Sequence, residues 1–131
     1  MMYVLDTNTV VYFLKGLGHV AERLLATPPG AVGLPAIVLF ELEVGVRKTP
    51  AAKTRRRQLE ELASALVVLP FDQPAAKAAA EVRVALERRG EPIGPFDTLI
   101  AGTALANSGV LVTHNTGEFG RVAGLRLEDW F

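Results

Sequence analysis

Tyr3-Val4-Leu5-Asp6-Thr7-Asn8 is the stretch on which the fold turns. Three apolar residues read as a short buried strand, and the Asp-Thr-Asn that stops them reads as the start of a helix capped at Thr7 or Asn8. That helix is expected to run to about Lys15, where Gly16 and Gly18 break it. The same order recurs outward along the chain. Strand candidates at Ala31–Leu34, Leu66–Leu69, Val110–Val112 and Leu125–Leu127 alternate with helical stretches at 19–26, 35 onward, 51–65, 73–89 and 97–106, with a loop over Thr113–Gly117. Short apolar strands alternating with helices imply parallel βαβ units, hence an α/β fold with a mainly parallel sheet of about five strands and helices on both faces. No repeat or linker divides the chain, so a single domain over residues 1–131 is expected.

Composition narrows the function classes. There is no cysteine, which excludes disulfides, thiolate metal sites and a cysteine nucleophile. With no signal peptide apparent, a reducing cytoplasm is the expected location. Half of the residues are hydrophobic, yet charged residues interrupt every apolar run well short of the roughly 18 that a membrane span needs. The formal net charge is zero, 14 basic against 14 acidic residues, so the total signals no extended nucleic-acid surface. One local exception is the window holding Arg47, Lys48, Lys53, Arg55, Arg56 and Arg57. It reads first as a solvated helix face, and as a phosphate contact only if the rest of the chain proves nucleolytic.

Four acids stand beside element boundaries. Asp6 follows the first strand, Glu41 sits about one turn into the helix after the second, Asp97 opens a helix, and Glu118 lies in the loop after the fourth strand. Ligand sites in open α/β sheets lie beyond the carboxyl ends of the strands, so all four can share one rim. Brought together, such carboxylates cannot all stay ionised without a compensating cation, and hard oxygen donors suit Mg²⁺ or Mn²⁺.

These segments resemble a family. Leu5-Asp6-Thr7-Asn8, Phe40-Glu41-Leu42 with Gly45, Ile93-Gly94-Pro95-Phe96-Asp97-Thr98-Leu99-Ile100-Ala101 and Val112-Thr113-His114-Asn115-Thr116-Gly117-Glu118-Phe119 are similar, in order and spacing, to the motifs of PIN-domain proteins, specifically the VapC-type ribonuclease toxins of toxin–antitoxin pairs. The ending Arg121–Leu125 with Glu128-Asp129-Trp130 is similar as well. The resemblance implies a PIN-like fold in which Asp6, Glu41 and Asp97 hold a catalytic Mg²⁺, with Mn²⁺ as a substitute. It also implies RNA hydrolysis by a metal-activated water, leaving 5′-phosphate and 3′-hydroxyl ends. Some relatives carry an aspartate where this chain has Asn115, and others carry the acid just before the phenylalanine, as Glu118 does here. One or two metals both remain open. The implied partners are RNA, transfer or messenger, a VapB-type antitoxin whose C-terminal segment crosses the groove, and a second copy of the chain.

Each residue also has a plainer reading. Asp6 can begin a turn or assist a cap at Asn8, Asp97 can serve the helix dipole, and Glu43 can simply face solvent. Glu41 is harder to dismiss, because an unpaired carboxylate among Phe40, Leu42 and Val44 is costly to bury. Thr7, Asn8, Thr98, Thr113 and Asn115 are expected to cap or to orient carboxylates rather than touch a metal. His19 reads as surface, His114 as a loop residue near the site, and Phe96 and Phe119 as packing anchors. The competing functional class is a catalytically silent PIN-like module that binds RNA or protein. A flavodoxin-like module shares the sheet pattern but needs an adjacent acidic pair or phosphate-binding glycines that are missing here.

Overall fold

A computed structural model describes residues 1–131. Its strands are β1 (Tyr3–Leu5), β2 (Val32–Pro35), β3 (Val67–Leu69), β4 (Val110–Val112) and β5 (Arg126–Glu128), in the sheet order β3-β2-β1-β4-β5. Every pairing is parallel, so the sheet is wholly rather than mainly parallel. Strand order reverses at β1 and β4, and the crevice beyond their carboxyl ends is where such sheets bind ligands. The helices are α1 (Thr7–Lys15), α2 (Val20–Leu25), α3 (Ala36–Lys48), α4 (Ala52–Ala65), α5 (Gln73–Arg88), α6 (Pro95–Ala106) and α7 (Thr116–Phe119), with a 3-10 turn at Pro29–Ala31.

The core explains why the apolar runs are strands. Val4, Leu5, Val32, Leu34, Leu111 and Val112 are wholly enclosed, as expected when helices cover both faces of a parallel sheet. Val10 from α1, Val38 from α3 and Ile100 from α6 fill the space against them. The alanine-rich character of α5 has a packing cause: a Cβ at Gly102 would lie 2.6 Å from the backbone nitrogen and Cβ of Ala79. Only small residues let α5 and α6 approach so closely, and Ala75, Ala79 and Ala104 are all buried along these helices. Gly16 ends α1 in the left-handed region, φ +68°, where its N–H bonds the carbonyl of Phe13.

Three local expectations need correction. The cap of α1 is Asp6 rather than Thr7 or Asn8: its backbone is extended, and Oδ1 accepts from the Thr9 N–H at 2.9 Å. β1 therefore passes directly into α1 with no loop between them. The segment after β4 is not all loop, because Thr116–Phe119 makes a helical turn. β5 lies at Arg126–Glu128, one residue later than the pattern suggested, and it is the sheet edge beside β4.

Candidate metal centre at the sheet rim

Asp6 and Thr9 tie the first β–α junction to β4. The Asp6 N–H donates to the Val112 carbonyl at 3.2 Å, and the Thr9 hydroxyl donates to the same oxygen at 3.0 Å. Asp6 is only 4 % exposed. Burial pushes its carboxyl above the ordinary 3.8, against hydrogen bonds from Thr113 and Thr9, and the charge of Asp129 adds to the rise. Thr9 is a site residue that sequence reasoning missed, although Asp-x-x-Thr at a helix start is a recognisable capping pattern.

Glu41 reaches the rim from α3 and is held there by α1. The Thr7 hydroxyl donates to Glu41 Oε1 at 2.6 Å, joining the motifs that follow β1 and β2. Asp97 is the third residue of α6, in the first turn, with Gly94 as N-cap. It therefore sits inside the helix rather than opening it. Glu118 lies in α7, where the Asn115 side-chain amide donates to Oε2 at 3.2 Å. Asn115 thus orients Glu118, and Thr113 Oγ1 accepts from the Asn115 N–H at 3.0 Å, extending the chain of contacts back toward Asp6. Thr98 is buried but donates to the Gly94 carbonyl, not to a carboxylate, and Asn8 is exposed on α1.

The four acids share one electrostatic environment. Burial, and then the charges of Asp6, Glu41 and Glu118, push the Asp97 carboxyl up to about 6. Like charges disfavour ionising one another, so the shift reports their proximity. None of the ion pairs in the structure includes any of the four. They stand at charge–charge range, and no group of three is closed tightly enough to chelate an ion as it stands. The donor set is all oxygen, negatively charged and without an internal cation, which fits a hard divalent ion.

Neighbouring groups fall where expected, with two exceptions. His114 lies beside the site, its Nδ1 2.8 Å from Asp129 Oδ2 and its ring stacked on Phe131. Desolvation alone would raise Asp129, but the Phe131 N–H and the His114 ring outweigh it and hold that carboxyl low. His19 is exposed and Phe119 is buried. Phe96, expected as a packing anchor, is instead largely exposed against Phe40. Glu43 does not merely face solvent, since Arg56 and Arg47 both reach it. A cavity of about 630 Å³ between α5 and α6, near Ile93 and Leu99, contains none of the four acids. A smaller groove of about 350 Å³ between α1, α3 and α4 has Thr7 and Glu41 in its wall.

This arrangement matches known proteins along its whole length. Residues 3–125 match the PIN domain family. The chain belongs to that family, in its VapC branch. It is 37 % identical to the tRNA(fMet)-specific endonuclease VapC of Salmonella typhimurium over 131 residues, 99 % of this chain and 98 % of that protein. The tRNA(fMet)-specific endonuclease VapC of Shigella flexneri is 35 % identical over 130 residues, with the same coverage. A crystal structure of VapBC2 from Rickettsia felis bound to a DNA fragment from its promoter superposes with a TM-score of 0.93 at 34 % identity, covering 100 % of both chains.

Proposed function

We infer that this chain is the toxin of a toxin–antitoxin pair and an endoribonuclease that hydrolyses RNA phosphodiester bonds with a divalent cation, Mg²⁺ or Mn²⁺. The observation that carries the reading is the rim itself: four acids with no basic partner within the chain, where burial and then the charges of the other three push the Asp97 carboxyl up to about 6. Asp6, Glu41 and Asp97 would hold the ion, and Glu118 completes the set. The chemistry such a divalent cation would supply there is charge compensation at the phosphate and a water of lowered pKa.

The chain's own work is positioning. The Thr9 N–H fixes Asp6 Oδ1, the Thr7 hydroxyl fixes Glu41 Oε1, and the Asn115 amide fixes Glu118 Oε2, so three of the four carboxylates are oriented by neighbouring side chains or backbone. Transfer RNA is the first substrate to try, because the relatives from Salmonella typhimurium and Shigella flexneri are named for tRNA(fMet). Messenger RNA is the alternative.

A VapB-type antitoxin is the partner, as in the VapBC assembly from Rickettsia felis. The groove beside Glu41, walled by Val11, Leu14, Leu42 and Val46 with Lys15 and Arg55 at its edge, offers an apolar seat for an amphipathic antitoxin segment. A homodimer carrying antitoxin is the assembly we expect. No helix is long and apolar enough to cross a membrane, and a cysteine-free chain suits the cytoplasm, where we place it.

Purified protein incubated with total transfer RNA and messenger RNA in Mg²⁺, Mn²⁺ or EDTA, beside Asp6→Asn and Asp97→Asn, tests the reading. Cutting that needs the ion and both aspartates is expected, with 5′-phosphate ends. Cutting indifferent to chelation and to both substitutions would overturn it.

A further inference from the structure

Arg121 and Arg89 cross-link the two segments that carry Asp97 and Glu118. Arg121 follows α7, and its N–H donates to the Glu118 carbonyl at 3.1 Å. Its side chain reaches away from α7: Nη1 donates to the Pro92 carbonyl at 3.2 Å, and Nε lies 3.9 Å from Glu91 Oε2. Arg89, at the end of α5, returns the contact, donating through Nη1 to the Arg121 carbonyl at 2.9 Å. Its Nη2 lies 3.3 Å from Glu91 Oε1, so Glu91 has one arginine at each oxygen.

The segment so held leads straight into Asp97. Pro92 stands two residues before Gly94, the N-cap of α6. Few other polar ties fix this approach. The Glu91 N–H bonds the Leu86 carbonyl at 2.9 Å, but Pro92 has no N–H, and neither Ile93 nor Gly94 donates a backbone hydrogen bond. The Pro92 carbonyl has Arg121 as its one donor. Ile93 packs against the core, so an apolar contact and the Arg121 guanidinium together place the start of α6.

The rim gives such a tie something to do. Asp97 and Glu118 carry like charge and act on each other, so with no cation between them they tend to part. A guanidinium paired directly with either acid would compete with the cation. Here the positive charge goes to Glu91 and to two main-chain carbonyls, and no ion pair joins either arginine to Asp97 or Glu118. One exposed ion pair would contribute little, but charge-assisted bonds made in both directions around one carboxylate fix the geometry of both segments.

We propose that Arg121, supported by Arg89 and Glu91, is a positioning residue of the metal centre, tying the approach to Asp97 onto α7 and so setting the spacing of Asp97 and Glu118. The assignment rests on the nuclease reading above. It also predicts a sign: removing a positive charge near an acidic site tightens cation binding by electrostatics alone, whereas losing the tie weakens it.

The test titrates Mn²⁺ into the full chain, with the free ion followed by electron paramagnetic resonance. Arg121→Gln is expected to weaken Mn²⁺ roughly 10-fold, and Arg89→Gln to weaken it by less. Arg88→Gln removes the same charge from an exposed arginine in no ion pair, and should bind Mn²⁺ at least as tightly as wild type. In a Glu118→Gln background, Arg121→Gln should add little, because the spacing it sets no longer matters, whereas a general loss of structure would add in full. In cleavage, Arg121→Gln should lose kcat at limiting Mn²⁺ and recover it at saturation, with KM for RNA unchanged. Circular dichroism melts check folding, and Arg89→Gln carries the test should Arg121→Gln not fold. Arginine variants that bind Mn²⁺ as wild type does, or losses equal with and without Glu118, would overturn the tie and leave the nuclease standing. A wild type that neither binds Mn²⁺ nor cuts RNA would overturn both.

Discussion

The acidic rim and the α3–α4 flank use the same side chains to opposite ends. On the flank, Glu43 takes Arg56 Nη1 at 2.8 and 3.1 Å on its two oxygens and has Arg47 at 3.8 Å, while Arg55 bonds the Leu14 carbonyl and Gln58. Charge there is neutralised within the chain. At the rim, two residues back along α3, Glu41 has only the Thr7 hydroxyl, and Asp97 feels three other carboxylates. The difference separates acids paired with arginines inside the chain from acids that have no basic partner within it. It also settles part of the basic window: Arg47, Arg55 and Arg56 are engaged within the chain, and Lys48 and Lys53 are exposed.

Substitutions on the two sides should therefore diverge most in cleavage. Asp97→Asn is expected to lower RNA cutting in Mg²⁺ by more than roughly 100-fold, beyond the loss that follows from disturbing a ligand's support, whereas Glu43→Gln should cut as wild type does. Equal losses in a gel assay would erase the distinction. Thr7→Val, which keeps shape and removes the hydroxyl from Glu41, should weaken Mg²⁺ about 10-fold in calorimetry with the fold unchanged by circular dichroism.

Stability against pH sharpens the comparison further. The folded carboxyl of Asp97 sits near 6, above its ordinary 3.8. Its contribution to stability is therefore fully present below about 3.8 and is lost as pH rises through about 6. In EDTA near neutral pH, Asp97→Asn should melt a few degrees above wild type, and the gain should vanish in acid. Added Mg²⁺ should raise the wild type and narrow the gap. On the flank the sign reverses and the size falls: Glu43→Gln should lower stability by at most about 1 kcal/mol, as expected for a half-exposed ion pair.

Much of this was legible in the residues because period and punctuation coincide. The runs at Tyr3–Leu5 and Val110–Val112 are strands as read, and Gly16 and Gly90 end helices as read. The acids at 6, 41, 97 and 118 do share a rim, because each follows a strand's carboxyl end or sits in the opening turns of a helix. What the residues hid is contact across motifs. Thr7 gripping Glu41 and Thr9 gripping the Val112 carbonyl join positions 34 and 103 residues apart, which no local pattern encodes. The cap moved from Thr7 or Asn8 to Asp6 because strand and helix abut, so one aspartate both caps α1 and faces the rim. Phe96 read as core by its type, yet it lies exposed against Phe40 near the start of α3.

The central claim is that the rim takes a divalent cation that the flank does not. Mn²⁺ titrated into wild type, Asp97→Asn and Glu43→Gln, with the free ion followed by electron paramagnetic resonance, tests it most directly. Wild type and Glu43→Gln should remove Mn²⁺ from solution equally, and Asp97→Asn should leave it free. Three indistinguishable titrations would contradict the account.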